Sequence, residues 1–354
     1  MCDHSGRGKP MDGERHHPLQ CILPPHILEN IIRNGSDTQR AWALENLHSS
    51  GQFRGQRQMQ EAVWTLTPTG TKRRTVYDAA GATTLPGKLV RSENDPPSKD
   101  VAINEAFDGS GAVYDFYLAK FKRNSVDDKG MRLDSTVHYD HKYDNAFWNG
   151  QQMVYGDGDG SLFNRFTISV DVIGHELTHG VTQYEASLSY QGESGALNES
   201  MSDVFGSMVK QFVNKQKATK ADWLIGQGLL TKKVHGVALR SMSAPGTAYD
   251  DPVLGKDPQP DNMKKYVKGT QDNGGVHINS SIPNRAFYLA ATTLSPTGYS
   301  WDKAGAIWYE VLCNRLRPNS GFADCRDLTI QVAKDLYGAA EQKLVRKAWK
   351  MVGL

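Results

Sequence analysis

The segment His175-Glu176-Leu177-Thr178-His179 constrains the fold of this chain more than any other feature. It lies in a helical run with apolar side chains at Val170, Val172, Ile173 and Leu177. At 3.6 residues per turn, both histidines project from one helix face and can hold one cation through two imidazole nitrogens. Glu176 projects beside them, where it can hold an attacking water without binding the cation. Because so short a pattern also occurs by chance, the surrounding sequence must decide whether it is a metal site.

A second helical run, opening near Asn198, supplies that context. Its apolar stripe has helical spacing and comprises Met201, Val204, Phe205, Met208, Val209 and Phe212. Glu199 and Asp203 share the opposite face, and we expect Asn198 to cap the helix. Alone, such acids are typical of a solvated face. With the two histidines, Glu199 completes a three-ligand set for catalytic zinc with an open position for water, and Asp203 can orient a ligand imidazole.

Charge and composition exclude several classes of partner. The 354 residues carry 41 Lys and Arg against 39 Asp and Glu, a net charge of +2, so no broad field attracts nucleic acid or an anionic membrane. No segment reaches the ~18 apolar residues of a membrane span. Four cysteines are too few for a disulfide scaffold. The first thirty residues lack the apolar stretch of a conventional signal peptide, so secretion would need another route.

The chain divides into three zones by pattern. Residues 1–57 start polar, contain helical patterns at 27–32 and 41–47, and end in what we expect to be an exposed linker at 51–57. Five of the 11 histidines lie in this zone, which alone is typical of a mobile or tag-like tail: His4, His16, His17, His26 and His48.

In the rest of the chain, the residue pattern predicts strands first and helices afterwards. The predicted strands are 63–67, 75–78, 136–139 and 153–155, with one helix ending near Phe121 between them. The predicted helices are 169–186, 199–213, 281–295, 303–316, 322–337 and 339–352. This order indicates an α+β fold with a cleft between the two halves.

Several further motifs follow one another in a fixed order. They are Asn145 to Gly150, Met153 to Gly160, Gly195 to Glu199, Ala238 to Met242 and Asp272 to Ser280. Together with the two helices that carry the predicted metal ligands, these stretches resemble the thermolysin-like metallopeptidases over nearly all of residues 60–354. The resemblance implies a two-lobed α+β fold, with a β-rich lobe at 58–186, a helical lobe at 187–354 and the zinc cleft between them.

The resemblance also implies an activity, that of a zinc endopeptidase cutting peptide bonds before bulky apolar residues. His175, His179 and Glu199 would bind one zinc ion, and Glu176 would polarise the attacking water. Asn198 and Asp203 would support the ligand side chains.

Three further positions match groups that act on the carbonyl oxygen of the scissile peptide bond. Tyr190 and His277 correspond to the residues that stabilise the tetrahedral oxyanion, and Asp272 to the acid that orients and charges that histidine. Without the family, His277 would be an ordinary core or surface histidine, although the Gly274-Gly275 pair beside it indicates a tight turn at a cleft.

Other positions match the family's substrate-binding groups. Arg240 corresponds to the residue that hydrogen-bonds substrate carbonyls, and Asn145 with the Ala146 backbone to the groups that hold an extended peptide. Without the family, Arg240 is equally an ordinary salt-bridge partner. Four apolar residues fall where the family lines the pocket for the side chain after the scissile bond, although read alone they are core residues: Phe163, Phe166, Val172 and Leu239.

The front segment resembles the protealysin-type branch of the family through Pro24-Pro25, Ile27 and Leu28. That branch implies that residues 1–57 form a short inhibitory propeptide, which fills the cleft until it is cut near residues 50–60. Proline suits this role because its rigid extended backbone resists cleavage. Either the segment blocks the cleft without touching metal, or Cys21 or His26 reaches the zinc as a fourth ligand.

The family's calcium site is not retained in the sequence. Matching positions are Lys210, Leu224 and Gln227, and only Asp171 and Asp222 remain as acids. Because hard cations need several oxygens, we expect no tightly bound calcium there. The segment 157–160 superficially resembles a calcium loop, but it lacks the acid at the twelfth position and is predicted to be a turn.

Two other functions compete with a self-inhibited zinc endopeptidase. One is an inactive zinc protein that captures peptides, and the other is an effector that works by partner recognition. Retention of Glu176, Tyr190, Asp272 and His277 argues against the first, because binding needs neither a general base nor oxyanion donors. An effector usually adds a recognition module, and no spare segment is evident beyond residue 57. We expect a secreted monomer acting on proteins and peptides, with a cytoplasmic location as the alternative.

Overall fold

A six-stranded sheet precedes a largely helical half. The computed structural model describes residues 20–56 and 71–354, with only the backbone of Gln20 and of residues 48–56. The strands are β1 Gln20–Cys21, β2 Arg74–Asp78, β3 Lys88–Ser92, β4 Leu133–Val137, β5 Ala146–Trp148, β6 Met153–Tyr155, β7 Leu224–Ile225, β8 Arg240–Ser241, β9 Asp250–Asp251 and β10 Gly255–Lys256. The helices are α1 Pro25–Asn34, α2 Asp37–Gln56, α3 Val101–Phe121, α4 Val170–Tyr184, α5 Gly192–Val213, α6 Asp272–Asn279, α7 Ser281–Leu294, α8 Ala306–Asn314, α9 Phe322–Tyr337 and α10 Ala339–Met351.

The strand order in the sheet is β1-β5-β6-β4-β2-β3. β4 runs parallel to both β2 and β6, and the other pairs are antiparallel. The front segment contributes β1 at one edge, where Gln20 pairs with Trp148 and Cys21 with Phe147. Residues far apart in the chain thus lie side by side at this edge of the sheet.

Helices α4 and α5 pack closely, and this contact positions the side chains that are predicted to bind metal. A Cβ on Gly206 of α5 would lie 2.4 Å from the carbonyl oxygen of Asp171 on α4, so only glycine allows this separation. Helix α3 supports the pair from behind. Tyr117 stacks on Phe205 with ring centroids 5.6 Å apart, and its hydroxyl lies 2.8 Å from Thr178 Oγ1.

Most predicted elements coincide with observed ones. The strands predicted at 75–78 and 153–155 form β2 and β6, and the strand predicted at 136–139 lies at 133–137. The strand predicted at 63–67 falls outside the described residues. The helices predicted after residue 168 correspond to α4, α5 and α7–α10. The linker predicted at 51–57 is wrong for 51–56, because those residues continue α2.

The predicted N-cap at Asn198 is also wrong. Helix α5 begins at Gly192, which has φ +54°, and Asn198 is buried inside the helix. The early start has a tertiary cause: Gly195 packs so tightly against Val276 of α6 that a Cβ would lie 2.5 Å from Val276 Cγ1. Contact with α6 therefore extends the helix beyond its apolar stripe.

No helix in the described parts of the chain has the length and apolar run that a bilayer crossing requires. The three described cysteines, Cys21, Cys313 and Cys325, form no disulfide.

Candidate active site

Two histidines of α4 and one glutamate of α5 meet in a buried cluster. His175 Nε2 and His179 Nε2 lie 3.0 Å apart, and each lies 3.4 Å from a carboxylate oxygen of Glu199. One ligand atom from each residue falls within 4.8 Å of the others, and no second such group of His, Cys, Asp or Glu occurs among residues 20–56 and 71–354. The donor types and spacing fit one zinc ion.

The opposite ring nitrogens are held by other side chains, so both Nε2 atoms face the centre of the cluster. His175 Nδ1 lies 2.8 Å from Asp203 Oδ1. His179 Nδ1 lies 2.8 Å from Asn198 Oδ1 and 3.0 Å from Ser202 Oγ. These contacts set the ring orientation and tautomer, as is usual for metal-binding histidines.

Glu176 is buried beside this cluster with one carboxylate oxygen unpartnered. Its Oε2 accepts a hydrogen bond of 3.1 Å from the Trp148 backbone N–H, whereas its Oε1 has no partner within the described chain. Burial raises the pKa of Glu176 to about 8. An orphaned buried oxygen beside three metal-ligand side chains is suited to accept a proton from water.

A second buried group faces the cluster from α6 and the α4–α5 connection. His277 Nδ1 lies 2.6 Å from Asp272 Oδ1, and the His277 backbone N–H donates to Asp272 Oδ2. Tyr190 donates its hydroxyl proton to Glu199 and lies 3.1 Å from His277 Nε2. Burial opposes the charged form of His277, but Asp272 and Glu199 together raise its pKa to about 9. The expected tight turn is present, with φ +87° at Gly274 and +76° at Gly275.

Arg240 links the metal-binding helices to the front segment. Its Nε and Nη2 donate to the two carboxylate oxygens of Asp203 at 2.9 and 2.8 Å, while Nη1 donates to the Ile22 carbonyl at 3.0 Å. The residue therefore forms a buried salt bridge and also binds a peptide carbonyl. Asp203 restrains both Arg240 and His175, and these charged partners keep the pKa of Asp203 below its usual range although burial opposes this.

The front segment crosses the cluster as an extended strand. The Cys21 carbonyl accepts a hydrogen bond of 3.0 Å from His277 Nε2. The Ile22 N–H donates to the Ala146 carbonyl at 3.2 Å, and the Leu23 N–H donates to Asn145 Oδ1 at 3.0 Å. The groups expected to hold an extended peptide thus hold this segment.

The Pro-Pro motif ends this strand and starts a helix that packs against residues 249–254. Pro24 and Pro25 occupy the start of α1, and the helix buries Ile27, Leu28 and Ile31. His26 Nε2 lies 3.1 Å from the Tyr249 hydroxyl, and Asn30 Nδ2 donates to the Leu254 carbonyl at 2.9 Å.

The structure does not favour a fourth zinc ligand from the front segment. His26 points to Tyr249, and Cys21 packs in an apolar cluster with Tyr139, Tyr143, Phe147 and Val154. Neither residue belongs to the metal-binding group. Of the remaining histidines in the predicted tail, His4, His16 and His17 lie outside the described residues, as does the side chain of His48.

Four predicted pocket residues are buried in the main apolar core: Phe163, Phe166, Val172 and Leu239. The Phe163 and Phe166 rings lie 6.0 Å apart. Their burial agrees with a core role.

The region matching the family's calcium site holds a lysine ammonium. Lys210 Nζ lies 2.9 Å from Asp171 Oδ2 and 2.8 Å from Asp222 Oδ1, and it donates to the Leu224 carbonyl at 2.5 Å. In the 157–160 segment, Asp159 Oδ1 accepts three backbone N–H groups from residues 161–163, which agrees with the predicted turn.

Three contributing residues were not found from the sequence, and one of them is Ser202, whose Oγ contacts His179 Nδ1. Asn284 Nδ2 donates to Asp203 Oδ2 at 2.8 Å, and Gln259 Nε2 donates to the His277 carbonyl at 2.8 Å. Both lie far along the chain from their partners and belong to no motif, so no local signal identifies them.

Comparisons with known proteins agree with this arrangement. The thermolysin metallopeptidase catalytic domain matches residues 46–183, its alpha-helical domain matches 186–354, and the protealysin propeptide matches 20–48. An extracellular metalloprotease of Pectobacterium carotovorum subsp. carotovorum is 50% identical over 341 residues, covering 96% of this chain and 98% of that protein.

Thermolysin of Alicyclobacillus acidocaldarius subsp. acidocaldarius is 45% identical over 287 residues, which cover 78% of this chain and 50% of the relative. Among solved structures, the precursor of protealysin, a metalloproteinase from Serratia proteamaculans, superposes with a TM-score of 0.87 at 54% identity. That match covers 94% of this chain and 99% of the other.

Proposed function

The chain belongs to the thermolysin family of metallopeptidases and carries a protealysin propeptide, and from this premise we propose how its own residues carry out peptide hydrolysis. It is a zinc-dependent endopeptidase made as a zymogen, with the family's preference for cleavage before bulky hydrophobic residues. The observation that carries the assignment of residues is the unpartnered Glu176 oxygen beside His175, His179 and Glu199.

We propose that His175, His179 and Glu199 hold the zinc ion. When bound, zinc supplies the Lewis acidity that activates water and polarises a carbonyl. Asn198 and Asp203 keep the histidine rings in the orientation that directs both Nε2 atoms inward.

Glu176 accepts a proton from the attacking water and delivers it to the departing peptide nitrogen. His277, kept charged by Asp272, donates a hydrogen bond to the carbonyl oxygen as negative charge develops there, with Tyr190 as a second donor. Because burial excludes competing water, these hydrogen bonds are stronger than they would be in solution.

The substrate backbone is held by Arg240, by the Asn145 side chain and by the Ala146 backbone. We propose that Phe163, Phe166, Val172 and Leu239 line the pocket that receives the side chain following the scissile bond. A pocket with such walls favours apolar side chains because their burial removes apolar surface from water.

Replacement of Glu176 by glutamine tests the mechanism directly. We expect the matured Glu176→Gln enzyme to lose casein hydrolysis by a factor of at least ~10² while retaining zinc, because the general base is lost and the ligands are not. Glu310→Gln is the matched control, since Glu310 lies away from the cluster and pairs with Arg315. Activity that survives in the Glu176 variant would contradict the mechanism and favour another general base.

Chelation of zinc distinguishes a zinc endopeptidase from the two alternative functions, peptide capture and partner recognition. Removal of zinc should abolish casein hydrolysis, and stoichiometric zinc should restore it. A peptide-capturing protein would instead bind casein peptides without releasing products, and an effector would show neither property.

We propose domain limits of 1–57 for the propeptide, 58–186 for the β-rich lobe and 187–354 for the helical lobe. The family matches at 20–48, 46–183 and 186–354 support these limits. Sequencing the N-terminus of the mature enzyme tests the first boundary, which we expect between residues 50 and 60.

We propose that the Lys210 ammonium replaces calcium between Asp171 and Asp222. A buried ammonium already pairs with both acids and balances one of their two negative charges, and too few oxygens remain for a hard cation. Thermal unfolding with calcium or with a calcium chelator should give the same midpoint within a degree or two. A calcium-dependent rise of many degrees would overturn the proposal.

The relative from Pectobacterium carotovorum subsp. carotovorum is named an extracellular metalloprotease, which supports secretion. We propose that this enzyme is secreted and acts as a monomer. Fractionation of a culture and light scattering of the purified precursor test these two points.

A further inference from the structure

We propose that the Cys21–Ile22 peptide bond of the propeptide lies in the position of a scissile bond, and that the active site hydrolyses it within its own chain to give a nicked precursor that stays inhibited. The inference rests on the proposed roles of Glu176 and His277. It adds a specific self-cleavage site inside the propeptide, distinct from the maturation cut expected between residues 50 and 60.

The carbonyl group that contacts the oxyanion-stabilising histidine identifies the bond. His277 Nε2 donates a hydrogen bond of 3.0 Å to the Cys21 carbonyl oxygen. In hydrolysis, negative charge develops on the oxygen of the carbonyl under attack, so the donor assigned to that oxygen marks the scissile residue. The bond that follows this carbonyl joins Cys21 to Ile22.

The residues after this bond are held as a substrate would be held on its leaving-group side. The Ile22 N–H donates to the Ala146 carbonyl, the Ile22 carbonyl accepts from Arg240, and the Leu23 N–H donates to Asn145. Three consecutive main-chain groups therefore use the three substrate-binding groups in order. A displacement by one residue would break this series, because alternate groups of an extended strand point in opposite directions.

The side chain after the bond also suits the enzyme. Ile22 is fully buried, and isoleucine is a bulky hydrophobic residue of the kind the family cuts before. Cys21 on the other side is buried against the aromatic cluster of Tyr139, Tyr143 and Phe147. Both flanking positions thus fit the cleft without a charged or oversized group.

The reaction is the enzyme's ordinary hydrolysis applied to this bond. The oxygen of water bonds to the Cys21 carbonyl carbon, and the bond from that carbon to the Ile22 nitrogen breaks. Glu176 carries one proton from the water to the Ile22 nitrogen. The products are a Cys21 carboxylate and a new Ile22 amino group, and no oxidant or further reactant is required.

The nicked form stays inhibited because contacts beyond the bond hold the rest of the propeptide. Helix α1 is fixed by Asn30 to the Leu254 carbonyl, and α2 by Asn46 to the Asp144 N–H at 2.7 Å and by Lys142, whose Nζ lies 3.5 Å above the Trp42 ring. These residues remain covalently joined to the catalytic part, so their effective concentration at the cleft stays high. Before the bond, the described residues are Gln20 and Cys21, which pair with Trp148 and Phe147 of the sheet.

The test follows the intact mass and N-terminal sequence of the full-length precursor incubated with zinc. We expect loss of residues 1–21 and a new N-terminus reading Ile-Leu-Pro-Pro, at a rate independent of protein concentration. Casein activity should stay at the level of the uncut precursor until a second cut removes the propeptide. The Glu176→Gln precursor should keep residues 1–21.

Two substitutions at the same position separate cleavage from folding. Ile22→Leu should still be cut, whereas Ile22→Asp should slow the cut by at least ~10² because a charge cannot be buried in the apolar site.

A precursor that keeps its Cys21–Ile22 bond while the matured enzyme degrades casein would overturn this inference and leave the proposed function standing. An inactive matured enzyme would instead overturn the function. A cut that persists in Glu176→Gln, or full casein activity on nicking, would also contradict the inference.

Discussion

At the residue scale, the site depends on side chains that touch the ligands rather than the metal. His179 Nδ1 contacts both Asn198 and Ser202, whereas His175 Nδ1 contacts Asp203. We predict that Asn198→Ala lowers zinc affinity about tenfold, the lower end for loss of a ligand-supporting contact, because Ser202 remains. Competition with a chelator measures this affinity. Asn314→Ala is the control, since Asn314 bonds only to Glu310 on the exposed face of α8, and equal affinities in the two variants would contradict the prediction.

A second residue-scale prediction concerns pH and a histidine outside the site. A hydrogen bond to Asp157, together with the charge of Asp100, raises the pKa of His138 to about 9. The folded pKa exceeds the unfolded one of about 6.5, so the stabilisation is complete below that pH and is lost as pH rises through 9. We predict that His138→Asn lowers the free energy of unfolding at pH 6 by about 1 kcal/mol or less. The difference from wild type, measured by urea unfolding, should shrink by pH 10, and a constant difference would refute the prediction.

At the scale of elements, the separation of α4 and α5 decides whether the three ligands can meet. A methyl group on Gly206 would lie 2.4 Å from the Asp171 carbonyl and 2.9 Å from the His175 nitrogen. We predict that Gly206→Ala destabilises the enzyme by about 1–3 kcal/mol and weakens zinc binding, because the helices must move apart. Denaturant unfolding and chelator competition measure both effects. Gly269→Ala, where a Cβ meets nothing within 4 Å, should change neither, and a stable Gly206 variant with unchanged zinc affinity would be the contrary result.

At the scale of the whole molecule, the propeptide spans both halves of the enzyme. Strand β1 extends the sheet, α1 packs on residues 249–254, and Asn46 of α2 bonds to both the Asp144 N–H and the Lys142 carbonyl. We predict that Asn46→Ala raises the initial casein activity of uncut precursor by up to about fivefold, because a buried hydrogen-bond pair is lost and the inhibited state weakens by about 1 kcal/mol. Asn34→Ala, whose contact to Val253 is 3.5 Å and exposed, should have little effect. Equal activity of the two variants would show that α2 does not contribute to inhibition.

Local periodicity made a large part of this protein predictable. The spacing of His175 and His179 requires one helix face, and the stripe around Met201 requires a second helix that presents Glu199, so the sequence alone predicts that these three residues meet, as they do in the structure. A strand-rich zone followed by a helix-rich zone predicted the fold class for the same reason: residues within one element interact at fixed spacing.

Tertiary structure decided the contacts between elements. Asn198 was expected both to cap α5 and to support a ligand; the helix begins at Gly192, so Asn198 lies within it, and its side chain contacts His179. Asn284 reaches Asp203 from a helix that carries no motif. The resemblance to the protealysin-type branch implies that the Pro-Pro segment is inhibitory, but the peptide bond that crosses the site becomes visible through the pairing of Cys21 with Phe147 and the hydrogen bond to His277. Such contacts join residues from different elements, from 19 to 256 positions apart, and their register depends on how the elements pack, which no local pattern records.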